Sequence, residues 1–189
     1  GVNGNMTFTN IVQLSVLYFL AFTVDDIQIA EVCLILIIPL VIFLIFNFPF
    51  GRIFSGDAGA YFYGFSISAA TIYLFGKYDQ LLSWNAILVL IYPSIELLFS
   101  FIRKKFFENK TPFSPDTKHL HSLIFTHIGK KFNCSNNSFV TVFLFPFILA
   151  PFTTQLFYND MPIIIFLVFL IIMIYIAMYL YFLYLVFKK

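Results

Sequence analysis

The chain has 189 residues, of which 61% are hydrophobic, 21% aromatic and only 11% charged, and its mean hydropathy is +0.93. So little polar surface cannot coat a soluble globule, which excludes an ordinary soluble domain. The formal net charge of +2 gives no reason to expect a nucleic-acid partner.

About six apolar stretches are long enough to cross a bilayer, for which a helix needs roughly 20 residues. Their runs are continuous and do not alternate, which favours helices over barrel strands. The sequence therefore predicts an all-α, polytopic membrane protein of about six transmembrane helices. We expect one membrane domain over residues 1–189, as part of a larger helical bundle. In chain order the predicted spans are residues 8–24, 27–46, 58–75, 81–102, 139–157 and 162–187.

The first predicted span carries polar side chains along one face. Thr9, Asn10, Gln13 and Ser15 all lie within it. A polar face inside a membrane normally turns toward neighbouring helices. We therefore expect this helix to pack inward.

Basic residues fall almost entirely on one side of the predicted spans. Of the 11 Lys and Arg residues, only Lys77 lies in a connection on the other side. The positive-inside rule then makes the more basic side cytoplasmic, and the chain ends on that side. Asp25, Asp26, Asp79 and Asp160 are expected on the opposite face.

Three polar segments interrupt the apolar sequence, at residues 1–4, 47–59 and 112–121. An even number of predicted spans separates each segment from the next. All three are therefore expected on the same cytoplasmic face, beside the basic loops.

The segment Gly56-Asp57-Ala58-Gly59 stands where the third predicted span begins. Glycine allows a ligand to approach the backbone closely. A carboxylate there suits Mg²⁺, which takes one or two carboxylates together with phosphate oxygens and water. Asp is also a preferred helix cap, so a purely structural interpretation stays open.

The third segment holds two imidazoles, at His119 and His121, after two prolines that oppose continuous helix. In an extended stretch residues two apart point the same way, so the two rings are expected to converge. Together with the carboxylate and the basic loops they suit an anionic, phosphorylated substrate. The alternative is a solvated linker.

Glu96 lies within the fourth predicted span, where an ionised acid costs up to roughly 3 kcal/mol at the membrane centre. Such a residue is normally functional or paired. Arg103 follows seven residues later on the same helical face, so Glu96 reaching toward Arg103 or Lys104 is the structural alternative. Tyr92-Pro93 predicts a kink one turn before Glu96.

The two larger polar segments resemble signature loops of a known family. Asn-Phe-Pro-Phe-Gly-Arg-Ile-Phe-Ser-Gly-Asp-Ala-Gly at 47–59 and Pro-Asp-Thr-Lys-His-Leu-His at 115–121 look like those of the polyprenyl-phosphate N-acetylhexosamine-1-phosphate transferases. These are the glycosyltransferase group 4 membrane enzymes. Tyr92-Pro93 with Glu96 resembles the span that joins the loops, and the similarity runs in order from the first residues to about His121.

The resemblance implies transfer of a sugar 1-phosphate from a UDP-sugar to a polyprenyl phosphate, with release of UMP and with Mg²⁺, or Mn²⁺ in its place, at the phosphates. The implied substrates are a UDP-N-acetylhexosamine and a polyprenyl phosphate lipid. The implied location is the cytoplasmic face of a bacterial inner membrane, where cell-envelope polysaccharide synthesis begins. A homodimer is also compatible with the resemblance. By motif match, the implied residues are Asp57 as metal ligand, Asp57, His119 and His121 for catalysis, and Asn3, Phe54, Gly56, Asp116 and Lys118 for substrate binding.

Some positions depart from the family pattern. Thr117 replaces a usual Arg and Ser122 a common His, which is expected to alter contacts with the donor. The family's Asp-Asp pair has no counterpart on the predicted cytoplasmic face. The chain therefore resembles the carboxy-terminal half of such an enzyme, and alone it is expected to be inactive.

Two other function classes are alternatives to the enzyme. A noncatalytic remnant or subunit of the same fold would keep the loops without the reaction. A small anion transporter would also suit several spans, a basic inner loop and an intramembrane acid. The sequence carries no internal repeat or paired interrupted helices that would favour transport.

Overall fold

The computed structural model describes residues 2–109, 111, 118–129, 136–157 and 159–188. Asp116, Thr117 and Cys134 lie outside the described residues. The described chain is helical and contains no strand, which confirms the all-α prediction.

Nine α-helices make up most of the described chain. In chain order the helices are α1 (Asn5–Thr23), α2 (Ile27–Asn47), α3 (Gly56–Lys77), α4 (Ser83–Val89), α5 (Ile91–Ile102), α6 (Leu120–Ile124), α7 (Ser138–Leu149), α8 (Thr153–Phe157) and α9 (Met161–Phe187). Short π-helical turns continue α5 over Arg103–Phe107 and α6 over Phe125–Gly129, and a 3₁₀ turn over Ala150–Phe152 joins α7 to α8.

By length and composition, four stretches of the described chain could each cross a membrane: α1, α2, the run Ser138–Phe157 and the run Met161–Val186. The helices α4 and α5 make a fifth candidate if the bent pair is one span. The third predicted span forms α3, 22 residues long. Its Gly, Ser and Thr residues leave it less apolar than the other four.

The fourth predicted span is broken into α4 and α5, which meet at 75°. Pro93 has no N–H to donate to the carbonyl of Val89, and its ring crowds that carbonyl. The side chain of Gln13 supplies the missing donor, because its Nε2 lies 3.0 Å from Val89 O. The kink predicted at Tyr92-Pro93 is therefore confirmed, in the stronger form of two separate helices.

Helix α1 lies between two apolar clusters. Leu14, Leu17 and Leu20 are fully buried in one cluster with α2, α3 and Val89. Val12 joins the other, which is built from α4 to α7 and α9. Its polar residues Thr9, Asn10 and Gln13 are buried too, so the prediction that the first helix packs inward is confirmed.

Candidate functional site

The first two polar segments pack against each other. The Asn47 carboxamide accepts from Gly4 N at 2.7 Å and donates to Ile53 O at 2.8 Å. Asn3 Nδ2 donates to Pro49 O at 3.1 Å. These bonds fix the loop between α2 and α3 against the start of α1.

Asn3 is buried; its side chain bonds to this loop, whereas its backbone bonds to the start of α7. Its N–H donates to Asn137 Oδ1 at 3.0 Å, and its carbonyl accepts from Thr141 Oγ1 at 2.7 Å. A Cβ on Gly51, whose φ is +61°, would lie 2.6 Å from the Asn3 side chain, so only glycine fits there. The structure thus gives Asn3 a role in loop packing, and its contact with a nucleotide stays a prediction.

Phe54, Gly56 and Asp57 form an exposed group at the amino end of α3. Phe54 is 64% exposed, and a Cβ on Gly56 would meet nothing within 4 Å. The N-cap of α3 is Ser55, so the interpretation of Asp57 as that cap is wrong. Asp57 lies in the first turn, where the positive end of the helix dipole favours an anionic side chain.

His119 and His121 lie side by side, as the sequence predicts. Their ring centroids are 5.2 Å apart and the rings are nearly parallel, at 7°. The backbone of His119 is extended, whereas α6 begins at Leu120, so His121 already lies in the helix. The two rings therefore converge because His119 has an extended backbone and His121 lies in the first turn of α6.

Glu96 holds both imidazoles with one carboxylate. Its Oε2 lies 3.1 Å from His119 Nδ1, and its Oε1 lies 3.9 Å from His121 Nδ1. The Glu96 side chain is only 12% exposed. The partners of this intramembrane acid are thus the two histidines of the third polar segment.

The alternative pairing of Glu96 with Arg103 or Lys104 is not what the fold adopts. The π-helical turn after α5 brings Glu108 back to Arg103, whose Nη1 donates to Glu108 Oε1 at 2.6 Å. Lys118 Nζ donates to the same oxygen at 2.7 Å. The hydrogen bond from Lys118, followed by that from Arg103, lowers the pKa of Glu108 to about 2.

Lys118 is thereby placed beside the histidines but bonded to an acid of this chain. Its backbone carbonyl also accepts from Tyr179 OH of α9 at 3.0 Å, which fixes where the third segment enters α6. Binding of substrate by Lys118 stays a prediction. The same holds for Asp116, which lies outside the described residues.

A cavity of about 510 Å³ opens beside the imidazoles. Its walls come from the polar face of α1, from small residues of α3 and from the start of α5. Asp57 precedes the α3 wall by one turn, since that wall begins at Ala60. The residues that form the polar part of the lining are Asn5, Thr9, Asn10, Gln13, Ser68, Ser94, Glu96, His119 and His121.

Comparison with known proteins supports the family resemblance of the first two polar segments. Residues 1–75 match the family model described as glycosyl transferase family 4. Over these residues the chain is similar to members of glycosyl transferase family 4. The match covers the first two polar segments and most of α3, and it confirms the family resemblance of those segments.

Two curated relatives extend the comparison. The undecaprenyl-phosphate alpha-N-acetylglucosaminyl 1-phosphate transferase of Thermotoga maritima is 38% identical over 88 residues, 47% of this chain and 28% of that protein. The probable undecaprenyl-phosphate N-acetylglucosaminyl 1-phosphate transferase of Bacillus subtilis is 30% identical over 125 residues, 64% of this chain and 34% of that protein. The chain therefore matches about a third of these relatives' length. No solved structure matches it.

The candidate site includes contacts that the sequence did not predict. The pairing of Glu96 with His119 and His121 was missed, although an acid inside a predicted span signalled that a partner was needed. Asn5 was also missed, because it was placed outside the first predicted span. In the described part of the chain, no three His, Cys, Asp or Glu side chains are grouped so as to hold a metal by themselves.

Proposed function

We propose that the protein transfers a sugar 1-phosphate from a UDP-N-acetylhexosamine to polyprenyl phosphate and releases UMP. The observation that carries the proposal is the pair of stacked imidazoles held by the Glu96 carboxylate at the edge of the cavity. The names of the two relatives support the same chemistry, since both are transferases of a sugar 1-phosphate to undecaprenyl phosphate.

In this reaction an oxygen of the lipid phosphate forms a bond to the β-phosphorus of the donor. The bond between that phosphorus and the bridging oxygen breaks, and the electron pair leaves with UMP. In their protonated form, in which both ring nitrogens carry a hydrogen, His119 and His121 would donate N–H groups to phosphate oxygens as negative charge develops on the leaving group. Glu96 orients the His119 ring by accepting a hydrogen bond from Nδ1.

The exposed Asp57 carboxylate fits one ligand of Mg²⁺, or of Mn²⁺ in its place. One protein carboxylate with phosphate oxygens and water is a usual set for Mg²⁺ at a phosphate site. When bound, the ion neutralises charge on the phosphates. Phe54 and Gly56 come just before Asp57 and are exposed like it, so a nucleotide has access to all three.

We place this site on the cytoplasmic face of a bacterial inner membrane. The support is the distribution of Lys and Arg, since Lys77 alone lies in a connection on the other side. UDP-sugars are polar and multiply charged and do not cross lipid, so the site must open to the compartment that supplies them.

The test is transfer of radiolabelled N-acetylglucosamine 1-phosphate from its UDP donor to undecaprenyl phosphate. Membranes should contain the protein expressed from its complete reading frame, with Mg²⁺ present. We expect lipid-linked label and an equal amount of UMP. Asp57→Asn should reduce the rate by about 10² or more, on the scale of losing one preorganised charge contact.

Asp79→Asn is the matched control, because Asp79 is an exposed acid just beyond the other end of α3. It should leave the rate unchanged. Absence of transfer in membranes that hold the folded, complete protein would reject the enzyme and favour a noncatalytic member of the fold.

A further inference from the structure

We propose that Tyr179 of α9 is a positioning residue for the two imidazoles. The proposal rests on the proposed function and adds to it a part for the last helix of the chain. By its sequence α9 is only a long apolar span, and it lies beyond the residues that the family model matches.

The first argument is the hydroxyl of Tyr179, which is buried among apolar side chains. Tyr179 is 2% exposed and belongs to the cluster built from α4 to α7 and α9. A buried phenol hydroxyl needs a hydrogen-bond partner, whereas a Phe in its place would not. Tyr179 OH donates to the carbonyl oxygen of Lys118 at 3.0 Å, so its partner is the backbone of the third polar segment.

The second argument is the position of that carbonyl in the chain. The Lys118 C=O and the His119 N–H belong to one planar peptide group, so a bond that holds the oxygen also holds the orientation of this plane. The carbonyl of His119 in turn accepts the first two backbone bonds of α6, each at 3.0 Å. His121 lies in that first turn. The bond from Tyr179 therefore acts on the backbone that carries both rings.

Apolar packing does not by itself set the orientation of this peptide plane. Leu120 and Ile124 of α6 are fully buried in the same cluster as Tyr179, but the burial of apolar surface is non-directional. A hydrogen bond is directional, because it weakens steeply as its angle departs from linear. The hydroxyl of Tyr179 thus adds an orientation that packing does not supply.

The ring of the same tyrosine also contacts the helix that carries Glu96. The ring centroids of Tyr179 and Phe99 are 4.4 Å apart, and Phe99 follows Glu96 by three residues, on the same side of α5. Glu96 orients the ring of His119, while Tyr179 holds the peptide group just before it. The side chain and the backbone of His119 are in this way fixed by two helices that pack on each other.

Tyr179→Phe tests the hydroxyl, because it keeps the ring and removes the donor to Lys118. Thr141→Val is the matched control for stability, since it removes a bond of the same kind: Thr141 Oγ1 donates to a backbone carbonyl, that of Asn3, at 2.7 Å. Tyr181→Phe is the control for a tyrosine of α9 whose side chain faces outward, since Tyr181 is 60% exposed.

The first measurement is transfer of N-acetylglucosamine 1-phosphate to undecaprenyl phosphate by the complete protein in membranes, at matched abundance of folded protein. Tyr179→Phe should lower kcat/KM by about tenfold or more, the lower end of the range for losing an outer partner of a site residue. In a His119→Ala background the same change should lower it by less than about threefold, because the ring that it positions is gone. Thr141→Val should lower kcat/KM by the same factor in both backgrounds, and Tyr181→Phe should leave it unchanged.

The second measurement is hydrogen exchange of the backbone amides in the complete protein, which does not depend on activity. Tyr179→Phe should speed exchange at the start of α6 by about three- to tenfold, the value of one hydrogen bond. Thr141→Val should leave exchange there as in the wild type.

Two results would overturn the proposal while leaving the proposed function in place. One is an equal loss of kcat/KM from Tyr179→Phe with and without the His119 ring, and the other is unchanged exchange at the start of α6 in Tyr179→Phe. Absence of transfer by the wild type would overturn the proposed function and this proposal with it.

Discussion

The Glu96 carboxylate lies 3.1 Å from the His119 imidazole, although the two residues are 23 positions apart in the chain. A carboxylate that accepts at Nδ1 fixes the orientation and tautomer of an imidazole. Glu96 is therefore a positioning residue for the proposed reaction. The membrane-embedded part of α5 is in this way linked to the loop that would handle the donor.

Glu96→Gln should lower kcat/KM for the proposed transfer by about 10-fold to 100-fold, the range for losing an outer partner of a site residue. The amide keeps the volume of the side chain but removes its charge. Measured alongside His119→Ala and the double variant, Glu96→Gln should add little to the loss from His119→Ala. Additive losses would show that Glu96 does not act through the imidazole.

Ala variants of His119 and His121 should each lower kcat/KM by about 10² or more, if both rings contact the phosphates as charge develops. His127 is the internal control, because its ring packs on Phe182 of α9 at a centroid distance of 6.2 Å. His127→Ala should stay within about threefold, which is less than 1 kcal/mol. Equal behaviour of the three variants at matched membrane abundance would mean that the histidine segment is only a linker.

The fold was largely predictable because apolar length and composition decide membrane helices. The positions of α1, α2 and α9 follow from long apolar runs, and Pro93 marked the break between α4 and α5. The size of the bend was not predictable from sequence. It depends on whether the carbonyl freed by the proline finds a donor, and that donor, Gln13, comes from a helix 76 residues earlier in the chain.

The candidate site was predictable in its members but only partly in its contacts. The short spacing of His119 and His121 sufficed to predict that their rings converge. Nothing in the spacing of residues 96 and 119 indicates that they meet, because the loop between them is long. Asn3 illustrates the opposite case, since a motif match suggested a ligand contact while packing uses its carboxamide to hold Pro49.

On the opposite face, Asp26 should stabilise the fold in a pH-dependent way. It accepts from Tyr78 OH at 2.8 Å, Lys77 Nζ at 3.1 Å and Ile29 N at 3.2 Å. The hydrogen bond from Tyr78, with those from Ile29 and Lys77, lowers the pKa of Asp26 below its usual 3.8. The stabilisation is therefore fully present above about pH 4 and is lost as the pH falls through the folded-state pKa.

Asp26→Asn should cost about 1.5 kcal/mol at pH 7, at the low end for a charged hydrogen bond because Lys77 is 47% exposed. The difference from wild type should shrink toward pH 3. Thermal unfolding in detergent at both pH values measures this. Asp25→Asn is the control, since Asp25 is exposed and has φ 57°, which Asn adopts readily. A cost that does not depend on pH would contradict the role of the carboxylate.

The predicted orientation can be tested with Cys134, which lies in the basic loop. A membrane-impermeant maleimide should label it in permeabilised cells and not in intact ones, because the basic face is expected to be cytoplasmic. Cys33 is fully buried in α2, so its labelling should not contribute. Cys134→Ser is the control for that assumption. Labelling in intact cells would mean that the topology is the reverse of the predicted one and that Asp57 does not face the compartment that holds UDP-sugars.

The bond from Gln13 to Val89 also bears on how the chain is assembled. Synthesis runs from the amino terminus, so α1 is already in the bilayer when residues 83–102 arrive. A broken helix that entered lipid without a partner would expose a carbonyl that no water can reach. Here the donor precedes the acceptor in the order of insertion, so the interrupted segment meets its partner as it enters and is never left with a bare peptide group in the hydrocarbon.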